Sequence, residues 1–85
     1  MYRKTGSMTI SALAAGAEED ITITDSAVRV GDVVTVTTTA APETGLAIIT
    51  TWVTAAGTIN VRISNLNAAV ALTAGAVSVR YCVHR

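Results

Sequence analysis

The sequence predicts an all-β fold, a small antiparallel sandwich or barrel of about six to seven strands. Short runs rich in Val, Ile and Thr alternate between apolar and polar residues, which is the period of a β-strand. These runs recur about every ten residues between Gly, Asn, Asp and Pro, a spacing typical of sandwiches and barrels. The 85 residues are enough for one domain.

Three strands are predicted in the first half of the chain, at residues 7–13, 20–24 and 32–39. In the second of them, Ile21 and Ile23 should point inward, with threonines on the other face. The third is β-branched at nearly every position. This composition disfavours a helix and is typical of a strand that is buried on both faces.

Turn residues separate these strands. Asp25 and Asp32 flank one turn, which both should cap with side-chain hydrogen bonds. Gly31 lies inside that turn, where it is free to take positive φ. Pro42 and Gly45 mark the next loop, because Pro lacks a backbone donor and Gly closes a turn.

The second half of the chain predicts strands at 46–54, 58–64 and 76–83. A short hairpin turn at residues 56–57 should join the first two. Residues 65–72 are expected to form a loop that lies on the core, although one helical turn is an alternative.

The last strand alternates between an apolar and a polar face. The apolar face comprises Val77, Val79, Tyr81 and Val83, and the polar face Ser78, Arg80, Cys82 and His84. Cys82 and His84 therefore share one face, but they are about 7 Å apart and no third group orients them. We expect neither catalysis nor a metal site from this pair.

The hydrophobic residues are unusual, since most are Ala and Val, with no Phe and one Trp. Small side chains bury little area, while ordering the chain costs about 1.5 kcal/mol per residue. One cysteine and one histidine are too few for a disulfide or a Cys/His zinc site. Oligomerisation is the remaining support, and it suits a chain with 14% charged residues and zero net charge.

Several classes of function are disfavoured. No basic stripe could replace the counterions of a nucleic acid, and no apolar run is long enough to span a membrane. The carboxylates lie mostly in predicted turns, so we expect no enzyme and no cofactor. Glu18, Glu19 and Asp20 alternate between faces, which favours a solvated turn over a cation site. A faint signal-peptide pattern at 3–17 is better interpreted as a strand, and the lone cysteine fits assembly in a reducing cytosol.

Four residues are candidates for an oligomer interface. Trp52 should lie in the core beside Ile48 and Ile49, with an interface anchor as the alternative. Arg62 and Arg80 lie on outward strand faces, which are either solvated or in subunit contacts, where Arg is enriched. Tyr81 is the fourth candidate. The 14 threonines also suit sugar-binding surfaces, but the chain has few aromatics for stacking.

The order of several segments is similar to a small β-module of tailed-phage structural proteins. These segments are AAGA at 14–17, DITIT at 20–24, VGDVV at 30–34, TINVRISN at 58–65 and VSVRY at 77–81. The similarity covers residues 9–81, although the loop after 40 has less Pro than is usual. It implies a trimeric virion protein, either a capsid decoration (cement) or head-fibre protein or a tail-fibre module.

On this resemblance we expect a decoration protein, assembled in the host cytoplasm, that binds itself as a trimer and the major capsid protein. Residues 1–8 should form an N-terminal arm, flexible or in contact with the capsid through Tyr2, Arg3 and Lys4, before a single β domain at 9–85. The alternative is a receptor- or glycan-binding fibre or spike module. Such modules usually belong to longer chains, and the start at Met1 favours a free-standing protein.

Overall fold

A computed structural model describes residues 2–84, and none of them lies in a helix. The six strands are β1 (Tyr2–Ile10), β2 (Glu18–Thr24), β3 (Val33–Thr38), β4 (Leu46–Ala55), β5 (Thr58–Asn65) and β6 (Gly75–His84). This confirms the all-β prediction, and six strands agree with the predicted number of about six to seven. Within the described residues, no helix is long and apolar enough to cross a membrane.

The strands form two three-stranded antiparallel sheets. The first sheet has the order β1-β6-β3, and the second has the order β2-β5-β4. The chain therefore alternates between sheets, and only the β4–β5 hairpin joins neighbouring strands directly, through the turn at residues 56–57. This arrangement is a small sandwich with one central strand in each sheet.

The core lies between the sheets and is built from one face of each strand. Central strand β5 contributes three isoleucine or valine side chains with no exposed surface, and β6 contributes two valines with none. These residues are Ile59, Val61, Ile63, Val79 and Val83. Burying such a side chain stabilises the fold by about 1.5–3 kcal/mol, so the two central strands hold the sandwich together.

Strand β3 differs from its prediction. It lies at the edge of the first sheet, beside β6 alone, and only one face is covered. Val34 is buried and Val36 is half-buried, whereas Val33 is 63% exposed and Thr35 is also exposed. The prediction of burial on both faces is therefore wrong, because no second layer covers the outer face of this sheet.

Strand β1 also differs, since it begins at Tyr2 and not at residue 7. Residues 2–8, which were expected to form an arm, pair with β6 in a continuous antiparallel ladder from Tyr2 opposite Val83 to Ile10 opposite Gly75. Met1, the first residue of the expected arm, and Arg85, the last of the expected domain, lie outside the described residues.

The two long sides of the sandwich close differently. Where β3 meets β4, the Thr51 hydroxyl donates to the Val34 carbonyl, and the Gly31 N–H donates to the Val53 carbonyl at 3.3 Å. Where β1 meets β2, an open groove of about 760 Å³ separates the strands. The edges of β1 and β2 along this groove are thus accessible to a partner.

The turns match the expected chemistry. Gly31 has φ of 87°, as the turn before β3 requires. The loop from 66 to 74 has no regular structure and covers the core through Leu72, which is 2% exposed. Buried Asn65 fixes its path by donating to the carbonyls of Leu13 and Val70, at 3.1 and 2.9 Å.

Candidate functional site

Strand alternation gives the first sheet an outer face that contains arginines and hydroxyls but, among residues 2–84, no carboxylate. Arg80 lies on central strand β6, between Thr5 of β1 and Thr37 of β3. In the next row, Cys82 of β6 lies between Arg3 and Thr35. We call these six residues the arginine face. An exposed sheet face of this kind can pack against another surface.

Arg3 and Arg80 are diagonal neighbours on this face. Diagonal positions on paired strands are about 7–8 Å apart, within reach of long side chains. Both residues line a shallow depression of about 250 Å³ together with Lys4 and Thr5. Within residues 2–84, neither guanidinium has an ion pair or a hydrogen bond, so both have free donors.

The outer face of the second sheet contains Trp52, Arg62 and Asp20. The Arg62 guanidinium donates to both Asp20 oxygens, at 2.8 and 3.2 Å, and lies 5.0 Å from the centroid of the Trp52 ring. The hydrogen bonds raise the pKa of Arg62 and lower that of Asp20. We call Trp52, Arg62 and Asp20 the tryptophan face.

Trp52 is therefore not a core residue, and that interpretation of the sequence is wrong. It is half-buried and points away from the core, while the next residue, Val53, points inward. A β-bulge between Ile48 and Thr50 reverses the alternation along β4. Ile49 is left 50% exposed for the same reason.

A buried carboxylate, Asp25, lies at the end of β2. It accepts hydrogen bonds from the hydroxyls of Tyr81 and Tyr2, at 2.8 and 3.1 Å. It also accepts from the Lys4 ammonium at 3.2 Å and from the Ala27 N–H at 3.0 Å. The sequence indicated only the turn contact, which the structure confirms. We call Asp25, Tyr2, Lys4 and Tyr81 the Asp25 cluster.

The pKa values in this cluster follow from burial and hydrogen bonding. Desolvation raises the pKa of Asp25, but the donors from Ala27, Tyr81, Lys4 and Tyr2 lower it more, so the carboxylate stays ionised. Burial and the neighbouring Asp25 raise the pKa of Tyr81 to about 12, so its hydroxyl remains a donor. The cluster stabilises the fold by joining β1, β6 and the turn after β2.

The structure therefore places the candidate residues from the sequence in two groups, one on the outer faces and one around Asp25. Arg3, Arg62, Arg80 and Trp52 lie on outer faces, whereas Tyr2, Lys4 and Tyr81 turn toward Asp25. Tyr81 is only 4% exposed in the single chain, so it takes no part in the surfaces described below.

The other candidates for chemistry remain apart. Glu19 accepts a hydrogen bond from the Ser11 hydroxyl at 2.6 Å, while Asp20 binds Arg62, so the acidic residues do not converge. Cys82 is a free thiol, half-buried on the arginine face, and His84 is two residues further along β6. Residues 2–84 contain no group of three His, Cys, Asp or Glu side chains that could hold a metal ion.

Comparison with known proteins gives no relative from which a role could be transferred. No protein-family model matches the chain, and neither a curated protein nor a solved structure matches it significantly. The two outer faces and the Asp25 cluster are therefore interpreted from their own geometry.

Proposed function

We propose that this chain is a structural protein of a tailed-phage virion. As a capsid decoration protein, it would form a homo-oligomer, a trimer by its resemblance, bind the major capsid protein and stabilise the shell. It acts without catalysis and without a cofactor. The observation that supports this proposal most is the exposure of large apolar side chains at both ends of a very small sandwich.

At one end, Val30 lies in the turn before β3 and Val33 is the first residue of β3; they are 65% and 63% exposed. At the other end, Leu66 and Val70 lie in the loop after β5 and are 71% and 61% exposed. Single exposed apolar residues are ordinary on protein surfaces. Two pairs at opposite ends, on a chain that is 14% charged, favour contacts with neighbours on both sides.

The free strand edges support the same function. β1 and β2 leave an open groove between the sheets, and exposed edges readily pair with another chain. A shell protein would gain stability by burying such surfaces across neighbouring subunits. Each 100 Å² of apolar area removed from water contributes about 2.5 kcal/mol. Contacts repeated over a shell would therefore sum to a large stabilising free energy that opposes the internal pressure.

The test is the mass of the pure protein in solution by light scattering, followed by incubation with capsids that lack a decoration protein. We expect an oligomer that binds such capsids saturably and raises the temperature at which they open. A stable monomer that ignores capsids would contradict the proposal.

Variants make the test specific to the exposed apolar ends. Val33→Thr and Leu66→Thr should weaken assembly, because each removes exposed apolar surface at one end. Ile49→Thr is the matched control, since Ile49 is also exposed but lies within β4, away from both ends. An equal loss in all three variants would mean that the ends are not the contacts.

Glycan binding by a fibre module has less support. A sugar site needs an exposed aromatic face for stacking. Tyr81 is buried, and the Arg62 guanidinium lies over the Trp52 ring. Binding of the isolated domain to a glycan array would reverse this preference.

A further inference from the structure

The pairing of two arginines on the first sheet has no explanation in the fold. Arg80 is on the central strand and Arg3 is on the edge strand, so their positive charges lie diagonally next to each other. Like charges that are directly opposite on paired strands destabilise a sheet, and these two positive charges are one diagonal step from that arrangement. Residues 2–84 supply no carboxylate to offset them on this face, although the whole chain has as many acidic as basic residues.

The Asp25 cluster holds β1 in place, and β1 carries Arg3, one of the two arginines. Tyr2 and Lys4 donate to Asp25 from the inner face of β1, at 3.1 and 3.2 Å. Because strand side chains alternate, Arg3 between them must point outward. Its backbone is therefore held in the sheet beside β6, and the two guanidiniums are displayed on a rigid surface.

We propose that Arg3 and Arg80 form a clamp for a carboxylate on an acidic protein surface. Arginine suits this role because its planar fork donates two parallel hydrogen bonds to one carboxylate. The hydroxyls of Thr5 and Thr37, on either side of Arg80, can satisfy further polar groups of the partner. This inference rests on the proposed function only for the identity of that partner, the capsid shell.

The observations favour an acidic protein over a nucleic acid. A nucleic-acid site neutralises many phosphates and needs a stripe of cations, whereas this face offers two unpaired arginines. It also lacks an aromatic side chain on which a base could stack. Two guanidinium groups on an exposed, hydroxyl-rich sheet face can bind a short cluster of Asp or Glu side chains.

The experiment measures binding of the full chain to immobilised poly-L-glutamate at low salt. We expect Arg80→Gln and Arg3→Gln each to weaken binding about tenfold, the value of a lost hydrogen bond to a charged group. Arg29→Gln is the matched control: it removes the same charge from an exposed turn residue outside the arginine face. We expect it to change binding less than about twofold.

Arg80→Lys separates the clamp from simple attraction of charge. Lysine keeps the charge but lacks the fork, so we expect a several-fold loss. The urea midpoints of the Gln variants should equal or exceed that of the wild type, because each variant removes one of two neighbouring positive charges. An unchanged Arg80→Lys variant, or an equal loss in all three Gln variants, would show that only net charge matters and would overturn the proposal.

Two other results would also overturn it. One is tighter binding to duplex DNA at the same salt, with the same dependence on Arg3 and Arg80, which would make a nucleic acid the partner. The other is self-association that disappears in Arg80→Gln, which would make a second copy the occupant. If the chain assembles and binds capsids but the arginine variants behave as wild type, the clamp is wrong while the proposed function stands. If binding to poly-L-glutamate depends on the arginines but the chain does not bind capsids, the clamp stands and the proposed function is wrong.

Discussion

Replacing Asp25 by Asn tests whether one buried carboxylate holds the sandwich closed at the end where β1 begins. Its side chain is 1% exposed and accepts from four donors. Oδ2 accepts both tyrosine hydroxyls, and Oδ1 accepts Lys4 and the Ala27 N–H. An amide can keep only one of these oxygens as an acceptor and loses the charge that the ammonium neutralises.

The expected loss follows from these contacts. The amide leaves two of the four donors without an acceptor, and each lost hydrogen bond to a charged group costs about 1.5–3 kcal/mol, so the loss is about 3 kcal/mol or more. A domain of this length has a free energy of unfolding of about 4–13 kcal/mol. Asp25→Asn should therefore remove a large part of the stability and lower the urea midpoint by about 3 M, or leave the chain unfolded in water.

Urea titration followed by Trp52 fluorescence and by far-UV circular dichroism measures this loss. Asp20→Asn is the matched control, since it also removes one carboxylate that pairs with a cation, but at an exposed site in β2. We expect it to shift the midpoint far less, because exposed ion pairs are well solvated. If Asp25→Asn is unfolded in water, Tyr81→Phe provides the milder test, since it removes one of the four donors and should cost about 1–2 kcal/mol. A loss for Asp25→Asn no larger than that for Asp20→Asn would refute the reasoning.

Three further predictions concern pH and backbone strain. The pKa of Asp25 is below its ordinary 3.8, so Asp25 contributes fully to the free energy of unfolding above that pH and its contribution is lost as the pH falls toward the folded-state pKa. In an acid titration of stability, Asp25→Asn should lack this loss. The pKa of Tyr81 is raised to about 12, so its contribution is complete below about pH 10 and is lost as the pH rises through 12, which an alkaline titration against Tyr81→Phe would detect. Gly45→Ala should destabilise the fold more than Gly16→Ala in thermal melts: both have positive φ, but a Cβ at Gly45 would lie 2.7 Å from Oδ1 of Asn65, whereas nothing lies within 4 Å at Gly16.

The strands could be predicted because their signal is local. In β2 and β5, Ile21, Ile23, Ile59 and Val61 alternate with polar residues, and a period of two requires no knowledge of neighbours. β3 shows the limit of this reasoning. Its valines and threonines suit a buried strand and a half-exposed edge strand equally well, and only the non-local order β1-β6-β3 decides between them.

Trp52 was misplaced for a different physical reason. Strict alternation from Ile48, which packs against the core, would also turn Trp52 inward. The bulge between Ile48 and Thr50 inserts one residue and moves the side chains from Thr50 to Val53 to the opposite face. No residue in this segment marks the bulge, because Gly is absent from it.

The candidate site was predictable only in part. Alternation along β6 placed Arg80 outward, and the structure confirms this. The partnership with Arg3 was missed because the predicted first strand started at residue 7, which left Arg3 in an arm. The Asp25 cluster was missed because the tyrosines that bind the carboxylate are 23 and 56 residues away along the chain. Such long-range contacts leave no periodic signal.

The size of the arginine face explains why oligomerisation and capsid binding belong together in this proposal. Even the whole outer face of the first sheet, three strands spaced 4.8 Å apart over about 25 Å of length, presents only roughly 350 Å², less than half of the roughly 800 Å² that each partner buries in a standard interface. One copy would therefore bind an acidic surface weakly. If the chain trimerises, three linked clamps bind with an avidity about 10²–10⁴ times higher than one. Loss of either arginine should accordingly weaken capsid binding by the trimer more than it weakens binding of a single protomer to a single acidic peptide.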